Sequence, residues 1–335
     1  MQNIIVAADG GGTSLRLIAF GEDLKLAAES CSGPVNPNFE DVEKIKNNMT
    51  EAARLLLAGL DGDCKITGIY ATIVGSVELF ERIFRREAGA RAEDAELHHI
   101  SEAHSHLYAA SLQTAGGVAL AGTGSGAMYC SKGETVHLGG YGIPVGDEGS
   151  GAWIGLQGMS AAVKYISGWG EKTALADRLY EYLNADPPGR LTGALYGKDV
   201  NQRNLFAGFC RHVAECERAG DVAARGIIYS AGKNMGLQMI AALKAAERRS
   251  MLDPGEAPII YASGGAWKGT PYMFEAMETT IRGVYPGAVC RRGIFDPVMS
   301  GVIKFIFDKT GRNTVSDDYM EQLKKEFKDY EVKIT

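Results

Sequence analysis

Apolar and polar residues cluster or alternate in four stretches near the amino end, in the way that predicts β-strands. IIVAA at residues 4–8 is a continuous apolar run, and SLRLIAF at 14–20 alternates with a period of two. LKLAAES at 24–30 and KITGIYATIVG at 65–75 have a similar character. The amino-terminal part of the chain therefore predicts a small sheet.

Apolar residues spaced three and four positions apart predict helices between and after these strands. One face of residues 38–60 is apolar, and Asn38 is a candidate N-cap. ELFERIFRREAG at 78–89 is amphipathic and ends at a glycine. The second half has helical patterns at residues 151–167, 172–184, 200–218 and 222–247, followed by a short strand pattern at 259–265. This alternation predicts an α/β fold with mixed sheets.

The strand–turn–strand pattern of the amino end occurs a second time. VAADGGGT at 6–13 corresponds to VALAGTGS at 118–125. Each copy is an apolar strand that runs into a glycine-rich turn carrying a hydroxyl. An internal repeat of this kind predicts two related α/β halves that face each other.

The length and composition suit a globular protein with two domains. The 335 residues are 45% apolar and 23% charged, and about 150 residues is a common domain size. We place the domains at residues 1–114 and 115–304. We expect the second domain to hold a helical insertion near 160–250, and a terminal helix near 305–335 to pack back on the first.

Charge and hydropathy exclude several classes of partner. No run of about 18 apolar residues exists, so no membrane span is expected. A net charge of −6 without a dense basic block argues against nucleic acid or an anionic membrane as partner. The amino end lacks a secretory pattern, so we expect a cytoplasmic protein. The six scattered cysteines, none in C-x-x-C, are expected to be reduced.

Glycine is unusually frequent, with 43 residues, and it clusters at the two repeated turns. Such turns expose backbone N–H groups that attract phosphate oxygens, and Thr or Ser hydroxyls add donors. One glycine turn is equally typical of a tight hairpin, whereas two matching turns favour a polyphosphate held from both sides. No G-x-x-x-x-G-K-[ST] or G-x-S-x-G is present. GTGSGA at 122–127 is followed by an extended pattern, not by the helix that a dinucleotide site needs.

Carboxylates accompany both turns. Asp147 and Glu148 lie between glycines in GYGIPVGDEGSG, just before a predicted helix. They either approach a metal or a ligand hydroxyl, or serve the helix N-terminus, where the dipole favours acidic residues. Asp9 either caps its turn or holds Mg²⁺ through water beside the phosphates. The second copy has Ala121 at the corresponding position, so the two halves are expected to differ in their metal role.

Five ordered motifs resemble the N-acetylglucosamine kinase family, which belongs to the BadF/BadG/BcrA/BcrD-type ATPases of the actin/hexokinase-like superfamily. They are DGGGTSLRLIAF, AGTGSGAMY, GGYGIPVGDEGSGAWIG, FAGFCRHVAE and YASGGAWKG, within residues 3–305. The resemblance implies two ribonuclease-H-like domains, with mixed sheets flanked by helices and a nucleotide cleft between them. It also implies ATP, Mg²⁺ and a small sugar substrate, and it suggests a homodimer.

The resemblance assigns roles to residues of this chain. The first phosphate loop comprises Asp9, which is near Mg²⁺, with Gly11, Gly12 and Thr13. The second phosphate loop comprises Gly122, Thr123, Gly124 and Ser125. The residues that flank the adenosine are Ala231, Gly232, Gly264, Gly265 and Ala266. Contacts to sugar hydroxyls come from Asn36, Gly140, Tyr141, Gly142 and Asp147, and Asp147 is also a candidate metal ligand.

One position departs from the family pattern. The family has a catalytic aspartate at the end of a strand before the second phosphate loop, where this chain has Glu102. Glutamate is longer by one methylene, and a general base must lie within about 3 Å of the proton that it accepts. We expect Glu102 to be the base. The alternatives are a different acceptor, poor turnover, or another residue in this role.

Two other functions stay open. The ATPase activators of CoA-dehydratases hold an iron–sulfur cluster with cysteines, and no cysteine here lies in a glycine-flanked turn. A nucleotide or sugar sensor without turnover is the second, because of Glu102. Four histidines cluster nearby: His98, His99, His104 and His106. We expect them at or near the surface, with a metal site shared with Glu102 as the alternative.

Overall fold

A computed structural model describes residues 2–185, 191–197, 200–253 and 255–333. The chain divides into two units. The first holds Met1–Thr114 together with Gly293–Val332, and the second holds Ala115–Arg292 together with Lys333. Among the described residues, no helix has both the length and the apolar character that crossing a membrane requires.

The elements alternate in the way that the sequence pattern predicts. The strands are β1 (Gln2–Gly10), β2 (Leu15–Gly21), β3 (Leu26–Ser32), β4 (Cys64–Ile73), β5 (Glu96–His99), β6 (Gly116–Ala121), β7 (Ser125–Ser131), β8 (Glu134–Gly139), β9 (Ile259–Ser263) and β10 (Val289–Arg292). The α-helices are α1 (Val42–Ala58), α2 (Val77–Ala88), α3 (Glu102–Ser111), α4 (Gly151–Ile166), α5 (Leu175–Leu183), α6 (Leu191–Tyr196), α7 (Gln202–Arg218), α8 (Val222–Arg248), α9 (Pro271–Arg282), α10 (Ser300–Thr310) and α11 (Asp317–Glu326).

The first sheet has the strand order β3-β2-β1-β4-β5. β1, β2 and β3 form an antiparallel meander, and β4 and β5 add to the other side of β1 as parallel strands. The parallel pairs need crossover connections, which α1 and α2 supply. The carboxyl end of β1, where Asp9 lies, is thus central in the sheet.

Helices cover both faces of the first sheet, because β1 is apolar on both. Val6 and Ala8 point to one face, where they pack with residues of α1 and α2. Ile5 and Ala7 point to the other face, where residues of α3, α10 and α11 pack. Side chains of a strand alternate between faces, so a continuous apolar run is what a strand covered on both sides requires.

The second sheet repeats this arrangement, with the order β10-β9-β6-β7-β8. β6, β7 and β8 form an antiparallel meander, and β9 and β10 pair in parallel on the other side of β6. The internal repeat predicted from residues 6–13 and 118–125 is therefore confirmed as a duplicated topology. The fold is the predicted α/β class, with two ribonuclease-H-like sheets flanked by helices.

The first helix begins later than its pattern predicts. Asp41, not Asn38, is the N-cap of α1, and its Oδ1 accepts a hydrogen bond from Lys44 N at 2.9 Å. Asn38 lies in the preceding turn, where its N–H donates to Asn36 Oδ1 at 2.9 Å. Aspartate and asparagine are both good N-cap residues. Asn38 is part of the turn at Asn36, so the helix begins after Asp41 instead.

The chain returns to the first unit at Gly293, earlier than the boundary at residue 304 that the sequence pattern predicts. The sequence pattern predicts residues 293–304 in the second domain, but they belong to the first unit. The reason is packing: Val302 and Ile303 of α10 lie in the apolar cluster that contains Ile5 and Ala7 of β1. The helices predicted as an insertion near 160–250 are α4 to α8, which follow β8 and precede β9.

Candidate active site

Backbone hydrogen bonds fix the first glycine turn. Gly10 O accepts from Val74 N at 2.8 Å, and Gly11 O accepts from Val35 N at 2.9 Å. Gly11 N donates to Ser14 O at 3.0 Å, which closes the turn. Gly12 and Thr13 form the tip of the turn; Gly12 is half-buried and Thr13 is exposed to solvent. The turn is thus a rigid support for a loop tip with accessible donors.

Asp9 lies at the end of β1, between two neighbouring strands. Its register partners are Arg16 on β2 and Thr72 on β4. Thr72 is buried, and within the described part of the chain its Oγ1 has no hydrogen-bond partner. Arg16 therefore brings a positive charge, and Thr72 a buried hydroxyl, to either side of the Asp9 carboxyl.

The charge of Asp9 is strongly disfavoured by its surroundings. Burial is the main cause and raises its pKa from 3.8 to about 7. The positive charge of Arg16 opposes this rise, while the negative charges of Glu102 and Asp296 add to it. These interactions place Asp9, Glu102 and Asp296 in one electrostatic neighbourhood of the first unit.

This neighbourhood suits Mg²⁺, which prefers oxygen ligands and is commonly held by one or two carboxylates together with substrate phosphates. A cation beside Asp9 would relieve the electrostatic cost of its ionised form. Among the described residues, no group of three or more His, Cys, Asp or Glu side chains is arranged to hold a metal ion. Phosphate oxygens would therefore have to supply further ligands.

Glu102 is the first residue of α3. Ser101 is the N-cap, and its Oγ lies 2.8 Å from His104 Nδ1. The negative charge of Glu102 suits the first turn of a helix, where the dipole is positive. Its side chain is exposed. The charge of Glu102 acts on Asp9, and the Glu102 carboxylate is accessible to solvent.

The nearby histidines have packing and surface roles. His98 stacks on Tyr70 with ring centroids 4.2 Å apart, and burial lowers the pKa of His104. His99 is exposed, and His106 is half-buried. The expected surface or partly buried positions agree with the structure, and the described residues contain no metal cluster at this place.

Asn36 lies in the turn after β3 and is buried. Its Oδ1 accepts from Asn38 N, and its carbonyl accepts from Phe39 N and Glu40 N at 3.1 Å each. These bonds give Asn36 a structural role in the turn. Its contact with a sugar stays a prediction.

The second glycine turn is joined to the start of α4. Gly122 N donates to Gly124 O at 2.9 Å within the turn. Gly151 N and Ala152 N of α4 donate to Gly122 O and Thr123 O, at 2.8 and 3.3 Å. The first N–H groups of the helix, which lack partners inside it, are thus used to hold the turn.

Ser125 has a similar structural bond, because its Oγ donates to Glu148 O at 3.0 Å. Gln238 Nε2 donates to the same carbonyl at 3.0 Å. The Ser125 hydroxyl is therefore committed to the loop before α4.

Asp147 is buried beside this turn with a left-handed backbone, at φ +61°. Its Oδ1 accepts from Gly142 N at 3.2 Å. Gly140 and Gly142 also have positive φ, at +80° and +78°, and Tyr141 between them is 81% exposed. The glycines of this loop thus allow a bend that presents an aromatic ring to solvent.

Arg203 at the start of α7 is a residue that sequence reasoning missed. A Cβ on Gly124 would lie 2.8 Å from Asp147 Oδ2 and 3.0 Å from Arg203 Nη2, so both groups lie directly over the glycine. Burial lowers the pKa of Arg203, and the charge of Asp147 opposes this. The only sequence signal was a basic residue at the start of a predicted helix, which is too common to indicate a site.

The third glycine group lies at the end of β9. Gly264 has φ +110°, and a Cβ there would lie 2.4 Å from Ala121 O and 2.9 Å from Gly122 N. Gly265 has open space around it, and Ala266 is half-buried. The structure thus brings Gly264, the first residue of the predicted adenosine segment 264–266, directly against the second glycine turn.

Ala231 and Gly232 lie elsewhere in this unit. Both are buried in α8. A Cβ on Gly232 would lie 2.1 Å from Met273 O and 2.9 Å from Ala276 Cβ of α9. The structure gives Gly232 a role in the close packing of α8 on α9 and buries Ala231 in the core of the unit, and an adenosine contact of either residue stays a prediction.

Comparison with known proteins identifies the family. The chain belongs to the BadF/BadG/BcrA/BcrD ATPase family, whose model matches residues 7–299. It is 24% identical over 298 residues to an N-acetylmuramic acid/N-acetylglucosamine kinase of Clostridium acetobutylicum, an alignment that covers 84% of this chain and 91% of the relative. It is 26% identical over 199 residues to the glucosamine kinase GspK of Vibrio cholerae, covering 55% and 63% of the two chains.

A solved structure shares the fold. A crystal structure from Chromobacterium violaceum, provisionally assigned as an N-acetylglucosamine kinase, superposes with a TM-score of 0.62 at 20% identity. The match covers 90% of this chain and 98% of the other. The predicted fold and family are therefore confirmed, and the chain is an enzyme of the kinase class.

Proposed function

We propose that this kinase transfers the γ-phosphoryl group of ATP to a hydroxyl of an amino sugar or related hexose. The ATPase family and the sugar kinases among the relatives support this activity. The observation that carries it is the pairing of Asp9 with Glu102 in the first unit. One carboxylate ends the strand that enters a glycine turn, and the other is exposed at a helix N-terminus within its electrostatic reach.

Glu102 is the proposed general base. Its exposed carboxylate accepts the proton of the sugar hydroxyl as the hydroxyl oxygen attacks the γ-phosphorus. The bond from the γ-phosphorus to the bridging oxygen breaks, and ADP leaves with that electron pair. Support comes from the position of Glu102 at the end of the β5–α3 connection, beside Asp9. The extra methylene of glutamate is accommodated if the backbone lies further from the acceptor than an aspartate would need.

Phosphoryl transfer depends mainly on positioning and on neutralising charge. We propose that the first phosphate loop donates through Gly12 and Thr13, and the second through Thr123, Gly124 and the backbone of Ser125. The N–H groups of Gly11 and Gly122 already bond Ser14 O and Gly124 O, so these two glycines shape the loops. Mg²⁺, when bound, neutralises charge on the phosphates. Asp9 is the residue proposed to hold it, while the Asp147 carboxylate is already occupied by Gly142 N and the charge of Arg203.

The remaining contacts concern the sugar and the adenosine. We propose that the exposed Tyr141 ring and the loop at Gly140 and Gly142 meet the sugar, with Asp147 and Asn36 accepting bonds from its hydroxyls. Open space around Gly265 supports an adenosine contact at that end of β9.

The test is a coupled assay of ADP release. It compares glucosamine, N-acetylglucosamine, N-acetylmannosamine, N-acetylmuramic acid and glucose with a sugar-free control. We expect at least one sugar to raise ADP release well above the sugar-free rate, and mass spectrometry to find the sugar phosphate. Sugar binding by calorimetry without ADP release would instead indicate a sensor. An iron–sulfur absorbance in anaerobically purified protein would indicate an activator.

A further inference from the structure

Arg16 contacts two residues from the carboxy-terminal part of the chain, Asp296 and Tyr330. Its Nη1 lies 3.2 Å from Asp296 Oδ2. Its guanidinium carbon lies 5.2 Å from the centre of the Tyr330 ring, within the range of a cation–π contact. The side chain is therefore fixed by an ion pair and an aromatic face together.

Asp296 and Tyr330 are themselves joined. Asp296 N donates to Tyr330 O at 2.9 Å, and Phe295 forms a β-bridge with Glu331. The Tyr330 hydroxyl bonds the carboxylate of Glu29 on β3, and the ring is buried. The two residues that hold Arg16 thus form one small, anchored unit, which we call the carboxy-terminal clamp.

The contribution of this clamp to folding stability is expected to be small. The Arg16 and Asp296 side chains are 36% and 22% exposed, and such ion pairs typically contribute less than about 1 kcal/mol. The main effect of the clamp is to restrict the Arg16 side chain. A free arginine side chain has many conformations, and ligand binding would have to remove that freedom. The cation also lies where Asp9, Glu102 and Asp296 would otherwise repel an anion.

We propose that Asp296 and Tyr330 are positioning residues that hold Arg16 ready at the first phosphate loop, so that residues 293–332 are a working part of nucleotide binding. This inference rests on the proposed ATP-dependent activity. Fixing a cation in advance lowers the entropic cost of binding the phosphates. The clamp acts through Arg16 and is not expected to touch the sugar.

The experiment measures the Kd of ATP by titration calorimetry, for wild type, Asp296→Asn, Arg16→Met and the double variant. We expect Asp296→Asn to weaken ATP binding by about tenfold, which corresponds to about 1.4 kcal/mol. In the Arg16→Met background the same change should alter Kd less than twofold, because coupled residues are non-additive. Asp94→Asn, which removes a surface ion pair with Lys65 at 2.8 Å, is the matched control and should leave Kd unchanged.

Tyr330 is tested in the same way. Tyr330→Phe keeps the ring over Arg16 and should bind ATP within twofold of wild type, whereas Tyr330→Leu should weaken ATP binding. Thermal melting identifies any variant that fails to fold. With an active sugar, the KM for ATP should rise while the KM for the sugar is unchanged, a separation that general destabilisation does not produce.

Two results would overturn the inference. One is an unchanged Kd in Asp296→Asn, and the other is an equal loss with and without Arg16, which would show that Asp296 acts on its own. Failure of the proposed function looks different: wild type would bind ATP and show the coupling between Arg16 and Asp296, but no sugar would accelerate ADP release.

Discussion

Thr72 and Asp9 are register partners in the parallel pairing of β1 and β4, and the Thr72 hydroxyl next to this carboxyl is buried. Within the described residues it has no hydrogen-bond partner. A buried hydroxyl without a partner costs about 1–3 kcal/mol. The buried Thr72 hydroxyl therefore lowers the free energy of unfolding.

Thr72→Val is expected to raise the free energy of unfolding by about 1 kcal/mol, because it removes that buried hydroxyl. Urea denaturation measures the change. Thr67→Val on the same strand is the control: its hydroxyl donates to Ile4 O at 3.4 Å, so no gain is expected there. A loss of stability in Thr72→Val would mean that the hydroxyl has a partner, such as water.

Asp9 makes stability depend on pH. Its pKa is raised from 3.8 to about 7, mainly by burial, so between these values the folded state binds more protons than the unfolded state. The free energy of unfolding should therefore fall as the pH rises from about 4 to about 7. Asp9→Asn should be the more stable protein at pH 8, by on the order of 2 to 4 kcal/mol, and the difference should vanish near pH 4.

Melting temperatures at several pH values check this. Asp94→Asn is the control of opposite sign, because Lys65 lowers the pKa of Asp94 and that pair weakens as the pH falls. Identical pH profiles for wild type and Asp9→Asn would contradict the prediction.

Glu102→Gln should lower kcat by about two to four orders of magnitude if Glu102 is the base, since general-base catalysis typically contributes that much. The Kd of ATP should stay within a few-fold of wild type. Glu102→Asp should retain part of the activity. The exposed Glu93 provides a control, because Glu93→Gln should have no effect. An unchanged kcat in Glu102→Gln would remove this residue from the mechanism.

Gly264→Ala should destabilise the protein by about 3 kcal/mol or more, because φ is +110° and the new Cβ would lie 2.4 Å from Ala121 O. Gly265→Ala is the matched control, since nothing lies within 4 Å of its Cβ position. Chemical denaturation of the two variants measures the difference. Equal stabilities would mean that the end of β9 can move away from Ala121 and the second glycine turn at little cost.

Arg203→Met should destabilise the protein by about 3 kcal/mol, because it leaves the buried Asp147 without its positive neighbour. Adding Asp147→Asn should recover part of the loss. Arg211→Met, at an exposed position on the same helix, is the control. Urea denaturation measures the free energy of unfolding of both variants. An equal decrease in Arg203→Met and Arg211→Met would mean that other groups balance the charge of Asp147.

The duplicated sheet was predictable because its signals are local. Continuous apolar runs such as residues 4–8 indicate strands covered on both faces, and the repeated glycine turns show the two copies in the sequence. Asp9 and Glu102 lie at the carboxyl ends of β1 and β5, which run parallel in one sheet and are separated by β4.

The pairs formed across long distances in the chain were not predictable. Arg16 and Asp296 are separated by 280 positions, and no local pattern links them. Arg203 lies in a helix whose pattern gives no reason to place it over Gly124. The return at Gly293 was missed for a related reason: the apolar residues of α10 show that it is buried, but not against which sheet.

The first unit is built from two ends of the chain, and this has a consequence for synthesis on the ribosome. Ile5 and Ala7 leave the ribosome long before their covering residues Val302 and Ile306 have been translated. The second unit, which is nearly continuous, can complete its sheet in the meantime. A nascent chain that stalls before Gly293 is translated would expose the apolar face of β1 that carries Ile5 and Ala7. Such a chain is expected to bind chaperones.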